Sequence, residues 1–215
     1  MNNNIKNVIN FYVLATSLKD KIRSGWKLWN VSKERLESVA EHIYGTCILA
    51  IAIDSEFKVN VDLNKVLKML VLHELEEVII GDLTPYDNIS DNEKVEQGKT
   101  AVKTILKDLI KKEEYEILLN EFNSHISKEA VFAFYCDKLE ADLQAKIYDE
   151  QGFTDISDSK NAELLNKEWN KKALENGAKN LSDLFIEYDL NNYNELFKEI
   201  CKYVKENDIC KGDNK

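Results

Sequence analysis

The chain is expected to fold as an all-α protein, and three observations predict this. Its 215 residues include one proline and seven glycines, while Leu, Lys, Glu and Ala are abundant, so little interrupts helices. Apolar residues recur at intervals of three and four along most of the length, the period of a helix with one covered face. Nowhere do apolar and polar residues alternate as a half-buried strand requires, and no internal repeat or low-complexity tract occurs. A hydrophobic content of 44% is enough to bury a sizeable core.

In chain order, Ile5, Val8, Ile9, Tyr12, Val13, Thr16 and Ile22 form the stripe of an amphipathic helix closing near Arg23. A short connection, SGWKLWNVSKER, follows. Residues 36–56, LESVAEHIYGTCILAIAIDSE, are apolar on most faces, which predicts a centrally placed helix with His42 near its start. Asp62 is positioned to cap the next helix, VDLNKVLKMLVLHELEEVII, and Gly81 to stop it. The segment DLTPYDNISDNE holds the only proline, Pro85, and reads as an acidic loop suited to the rim of a site. Helical patterns resume at about 92–111, 113–122 and 128–150 and break at QGFTDISDSKN. They return in AELLNKEWNKKALENG, LSDLFIEY and NNYNELFKEICKYVKEND. The organisation expected is a helical core over 1–150, C-terminal helices over 151–209 packed on the same domain, and a frayed polar tail over 210–215.

A net charge of −10 argues against a broad nucleic-acid surface, which needs Lys and Arg in excess of acid, so an anionic ligand must be held locally. Cys47, Cys136, Cys201 and Cys210 form no CxxC pair and fit free thiols in a reducing compartment. No apolar run of eighteen residues spans a membrane, and the N-terminal residues lack the pattern of a signal peptide. A cytoplasmic protein is expected.

The candidate chemistry lies in VLHELEEVIIGDLTP, residues 71–85. On a helical wheel with His73 at zero, Glu77 falls at about 40° and Glu74 at about 100°, so one ion could meet all three. No lysine or arginine between Met69 and Pro85 neutralises Glu74, Glu76, Glu77 and Asp82. Buried carboxylates need a counter-charge, and a divalent cation supplies one. Imidazole and carboxylate ligands suit Zn, Mn, Fe, Co or Ni. The same residues also fit a plainer reading of a satisfied core histidine and a solvated acidic face, and Glu76, on the far side of the wheel, is read as a surface acid.

The order of motifs resembles the HD-domain superfamily of metal-dependent phosphohydrolases, and within it the 5'-deoxynucleotidase branch. RSGW at 23–26, ESVAEH at 37–42, HELEEVIIGDLTP at 73–85 and CDKLEADLQA at 136–145 carry the resemblance. It implies an HD-domain helical bundle in which His42, His73, Glu74 and Asp137 hold one divalent ion, which for this family includes Mg. The family has Asp where this chain has Glu74, one methylene longer. Glu77 and Asp82 match the family's further acids: Glu77 would orient the attacking water, and Asp82 would make a second acid contact or cap the loop after Gly81. Arg23 and Trp26 match a basic and aromatic pair, for phosphate and for sugar or base, with Lys27 an alternative phosphate cation. Trp29 is read as packing, and His125, in the polar turn NEFNSHISKEA, as a solvated loop residue, which leaves a single-metal site.

The activity so implied is hydrolysis of 5'-(deoxy)nucleoside monophosphates or another small phosphomonoester. The alternatives are a catalytically impaired metal- or nucleotide-binding regulatory module, disabled by Glu74, and a helical scaffold. The resemblance also implies a homodimer, which Trp169, Phe185, Tyr188, Tyr193, Phe197 and Tyr203 could serve; at helical spacing they equally suit a core.

Overall fold

The computed structural model describes residues 2–87 and 89–210. Every regular element among them is helical: α1 (Asn2–Thr16), α2 (Ser24–Leu28), α3 (Val39–Phe57), α4 (Leu63–Leu72), α5 (Glu77–Ile80), α6 (Asp91–Leu106), α7 (Lys112–Ser124), α8 (Lys128–Glu150), α9 (Ala162–Leu165), α10 (Glu168–Glu175), α11 (Leu181–Asp189) and α12 (Glu195–Glu206), with 3-10 turns at Ser17–Asp20 and Ser159–Asn161. The all-α expectation holds. The chain divides into two units, Met1–Ser24 with Glu37–Cys136, and Gly25–Leu36 with Asp137–Lys215.

In the first unit, α3 begins with a capping box: the Ser38 hydroxyl accepts from Glu41 N–H at 3.3 Å, and the Glu41 carboxylate accepts from Ser38 N–H at 2.9 Å. Such a box satisfies two of the orphan donors of a helix N-terminus and fixes the turn that carries His42. Just upstream, residues 21–23 pair with 37–39: Arg23 N–H donates to the Glu37 carbonyl at 3.0 Å and Val39 N–H to the Lys21 carbonyl at 2.7 Å, around an isolated bridge between Ile22 and Ser38. Arg23 is thereby tied to the start of α3. Asp62 caps α4 as expected, accepting from Lys65 N–H at 3.2 Å.

α3 packs on α4, burying Ala50, Ile53, Val66, Met69 and Leu70 almost completely. Each of the larger side chains among them contributes about 1.5–3 kcal/mol. A second cluster joins Leu75 to Val102, Ile105, Leu106 and Leu119, with Phe11, Ala15, Leu72 and Val78 against it. α1 meets this core through Phe11 and Ala15, while Ile5, Val8, Ile9, Tyr12 and Val13 are exposed, and the helix ends at Thr16, short of Arg23. The stripe with the better helical period is the one facing water.

The expected single helix from Asp62 to Gly81 is two helices. α4 stops at Leu72, residues 73–76 form a turn, and α5 takes only Glu77–Ile80. Leu75, Glu77, Val78 and Ile79 donate to carbonyls three residues back, at 2.9–3.2 Å. This tighter winding rotates successive side chains further than an α-helix would, which removes the basis of the wheel angles for Glu74 and Glu77.

In the second unit, the Trp26 indole is 2% exposed, stacked on Phe185 at 5.7 Å and met edge-on by Tyr148 at 5.2 Å. It packs on the protein's own aromatic rings, where the family pattern suggested a sugar or base. Trp29 is equally buried. Asp149 accepts from the N–H groups of Leu181 and Ser182, at 3.2 and 2.8 Å, and so serves the N-terminus of α11. Of the C-terminal aromatics, Tyr193 and Phe197 are buried and stacked on each other, whereas Tyr188 and Tyr203 are exposed. In the expected polar tail, Cys210 N–H donates to Glu150 at 2.7 Å; residues 211–215 lie outside the described residues.

Candidate metal centre

Four segments of the first unit supply the candidate site: the stretch before α2, the first turn of α3, the turn between α4 and α5, and the residues after Gly81. His42, fully buried on α3, and His73, 4% exposed at the end of α4, lie with ring centroids 5.6 Å apart. Glu74 Oε1 is 3.6 Å from Nε2 of each. Ligand atoms of His42, His73 and Glu74 all lie within 4.8 Å of one another.

His73 Nδ1 is 2.6 Å from the Leu70 carbonyl oxygen. A carbonyl only accepts, so Nδ1 carries the proton and Nε2 presents a lone pair to the site. The edge of Phe122, 5.4 Å away, packs against the same ring. The α4 terminus thus selects the tautomer that metal ligation needs.

Arg23 Nη1 donates to Glu74 Oε1 at 3.0 Å and to Asp82 Oδ1 at 3.2 Å. The other Asp82 oxygen accepts from the backbone N–H of Ser24, the first residue of α2. Asp82 therefore serves another helix's N-terminus, not the loop that follows Gly81. Sequence reading missed this contact, because nothing in a linear pattern shows that residues 58 apart meet.

Glu77 is 6% exposed, and its Oε2 is buried with no hydrogen-bond partner. Burial first, then the facing carboxylates of Glu74 and Asp82, push it up to about 11 against the pull of Arg23. Glu76 is half-buried, not a solvated surface acid. Burial and then Glu74 raise it to about 7, and its carboxylate lies beside Gly98 of α6. The tightened turn swings it inward against that helix.

Asp137 follows Cys136 directly on α8; it is 7% exposed, with Lys138 Nζ 3.1 Å from Oδ2. Lys27 is exposed on α2. His125 is an exposed left-handed cap at the end of α7, with its ring 4.1 Å from that of Phe134.

The donors fit a divalent cation. Two imidazole nitrogens and a carboxylate oxygen converge, Glu74, Glu77 and Asp82 outnumber the single guanidinium of Arg23, and one buried carboxylate oxygen lacks any donor.

The fold and these donors define a helical protein with a buried two-histidine, carboxylate centre. This chain belongs to the HD domain family, whose model matches residues 15–182. It is 34% identical over 148 residues to the 5'-deoxynucleotidase HDDC2 of Homo sapiens, spanning 67% of this chain and 70% of that protein. To the 5'-deoxynucleotidase HDDC2 of Danio rerio it is 33% identical over 147 residues, again 67% of this chain and 70% of the relative. It thus falls in the HDDC2 branch. Among solved structures, a conserved hypothetical protein from Pyrococcus furiosus matches with a TM-score of 0.62 and 27% identity over 93% of this chain and 99% of that one. A predicted metal-dependent phosphohydrolase from Magnetospirillum magnetotacticum matches with a TM-score of 0.67 and 19% identity over 94% and 91%, a likeness of fold alone.

Proposed function

We propose that this chain is a divalent-metal-dependent hydrolase converting 5'-(deoxy)nucleoside monophosphates to nucleoside and phosphate. The observation that carries the reading is the convergence of His42 Nε2, His73 Nε2 and Glu74 Oε1 in a chain whose relatives bear the name 5'-deoxynucleotidase. We assign His42, His73, Glu74 and Asp137 to one metal ion. When bound, that ion supplies a Lewis acid that lowers the pKa of water and offsets phosphate charge.

The chain's own residues do the rest. Glu77, buried beside Glu74 and Asp82, is the residue that orients the attacking water. Asp82 is held in place by Arg23 and the Ser24 N–H and makes the second acid contact. Lys27, exposed on α2, is the better candidate for holding phosphate, since Arg23 is engaged by two carboxylates. Trp26 supports its segment from within.

The 5'-deoxynucleotidase names of its relatives support the active reading over an impaired regulatory module. No helix among the described residues is long and apolar enough to cross a membrane, and four free cysteines support a reducing compartment. The acid excess supports a small anionic substrate over nucleic acid. Exposed Tyr188 and Tyr203 leave room for a homodimer contact, which light scattering would measure.

The test is phosphate release by the purified protein from a panel of ribo- and deoxynucleoside monophosphates with Mn, Co, Zn, Fe, Ni and Mg in turn, with His73→Ala as control. Release by the parent and not by the control is expected. Silence across the whole panel would overturn the proposal.

A further inference from the structure

The feature that sets this chain apart from its family's motif is the longer carboxylate at position 74, and the structure shows what that carboxylate leans on. Glu74 Oε1, the oxygen 3.6 Å from both imidazoles, is the same oxygen that accepts from Arg23 Nη1 at 3.0 Å. Arg23 is anchored on both sides. Its backbone N–H is bound to the Glu37 carbonyl at the start of α3, and its guanidinium is shared with Asp82, whose other oxygen is bound by Ser24.

A glutamate has one more side-chain torsion than an aspartate and more rotamers in which its oxygens miss the two nitrogens. A partner that fixes the carboxylate in the rotamer facing both nitrogens removes that freedom before any ligand arrives. We propose that Arg23 is a positioning residue that holds Glu74 Oε1 between His42 and His73, so that glutamate at 74 ligates well only because Arg23 is present. The inference rests on the metal-centre reading above.

Two physical effects of Arg23 oppose each other, and this gives the test its sign. Its positive charge beside the ligand oxygen repels a cation and draws electron density from the donor, so by electrostatics alone its removal should tighten metal binding. If positioning dominates, removal weakens binding. The measurement is calorimetric affinity for Mn²⁺, with the visible absorption of bound Co²⁺ as a report of ligand geometry. It is made on the parent, Arg23→Gln, Glu74→Asp and the double variant, all checked by circular dichroism.

Arg23→Gln should lose about tenfold or more in affinity, the usual cost of removing an outer-shell partner, and alter the Co²⁺ spectrum. In the Glu74→Asp background the same change should cost less than about threefold, because the shorter side chain needs no tether. Equal or tighter binding by Arg23→Gln, or an equal loss in both backgrounds, overturns the inference while leaving the metal centre standing. A parent that binds neither ion overturns the metal centre itself. Should Arg23→Gln fail to fold, Arg23→Lys, able to keep one of the two carboxylate contacts, should lose an intermediate amount, and unchanged affinity there overturns the inference.

Discussion

Two regions of this molecule bury carboxylates, and they do so by different means. In the first unit Glu74, Glu77 and Asp82 gather around Arg23 and two imidazoles whose nitrogens converge on a carboxylate oxygen. In the second unit Asp142, fully buried, accepts from the Tyr193 hydroxyl at 2.8 Å, and Asp189 is 8% exposed. There burial raises Asp142 well above the carboxylate range, with Asp189 adding to it, and burial carries Asp189 up to about 6 against the pull of Lys138. No imidazole joins that second group among the described residues. Burial raises a carboxyl in both regions, Glu77 in one and Asp142 in the other, and the difference lies in the donors: among the described residues two imidazole nitrogens stand 3.6 Å from a carboxylate oxygen in the first, which makes it a site for a cation.

The largest expected effect breaks the comparison at its centre. His73→Ala should reduce both metal affinity and phosphate release by about a hundredfold or more, since it removes a ligand outright. Asp142→Asn should leave the metal content of the purified protein unchanged, which elemental analysis would check. Loss of metal in the second variant would show that the two acidic groups are one system.

Next is the pH dependence of stability. Asp189 holds its proton more tightly folded than unfolded, so its contribution is fully present below about pH 4 and is lost as pH rises through about 6. A rise of that size is worth about 3 kcal/mol at most. Urea unfolding of Asp189→Asn across pH 4–7 should show a flatter stability profile than the parent, and parallel profiles would contradict this.

The smallest effect sharpens the same contrast. Tyr193→Phe removes the donor to a buried Asp142 oxygen and should cost about 1–3 kcal/mol in urea unfolding while leaving metal affinity unaltered. A change in metal affinity would again join the two regions.

The site is partly legible in the sequence. His42, His73 and Glu74 follow from the order of motifs, and the structure brings their ligand atoms together. The wheel that places Glu74 and Glu77 on one face assumes an unbroken helix, yet the helix breaks at residues 73–76, and it is this break that turns Glu74 toward both histidines and Glu76 against α6. The Ser38–Glu41 capping box stands in the sequence as S-x-x-E within ESVAEH and could have been found from spacing alone.

What the sequence determined by itself is local: helix over Lys128–Glu150, read at the same bounds that the structure shows, the cap at Asp62, and an all-α chain. These depend on propensity, period and capping, which act within a few residues. Only the tertiary structure decided which apolar stripe of α1 is covered, that Trp26 faces Phe185 and Tyr148, and that Arg23 grips Glu74 and Asp82 across 51 and 59 positions. Period reports that a face is apolar and charge reports that an acid needs a partner. Which partner arrives depends on how distant segments pack, and no local pattern encodes that.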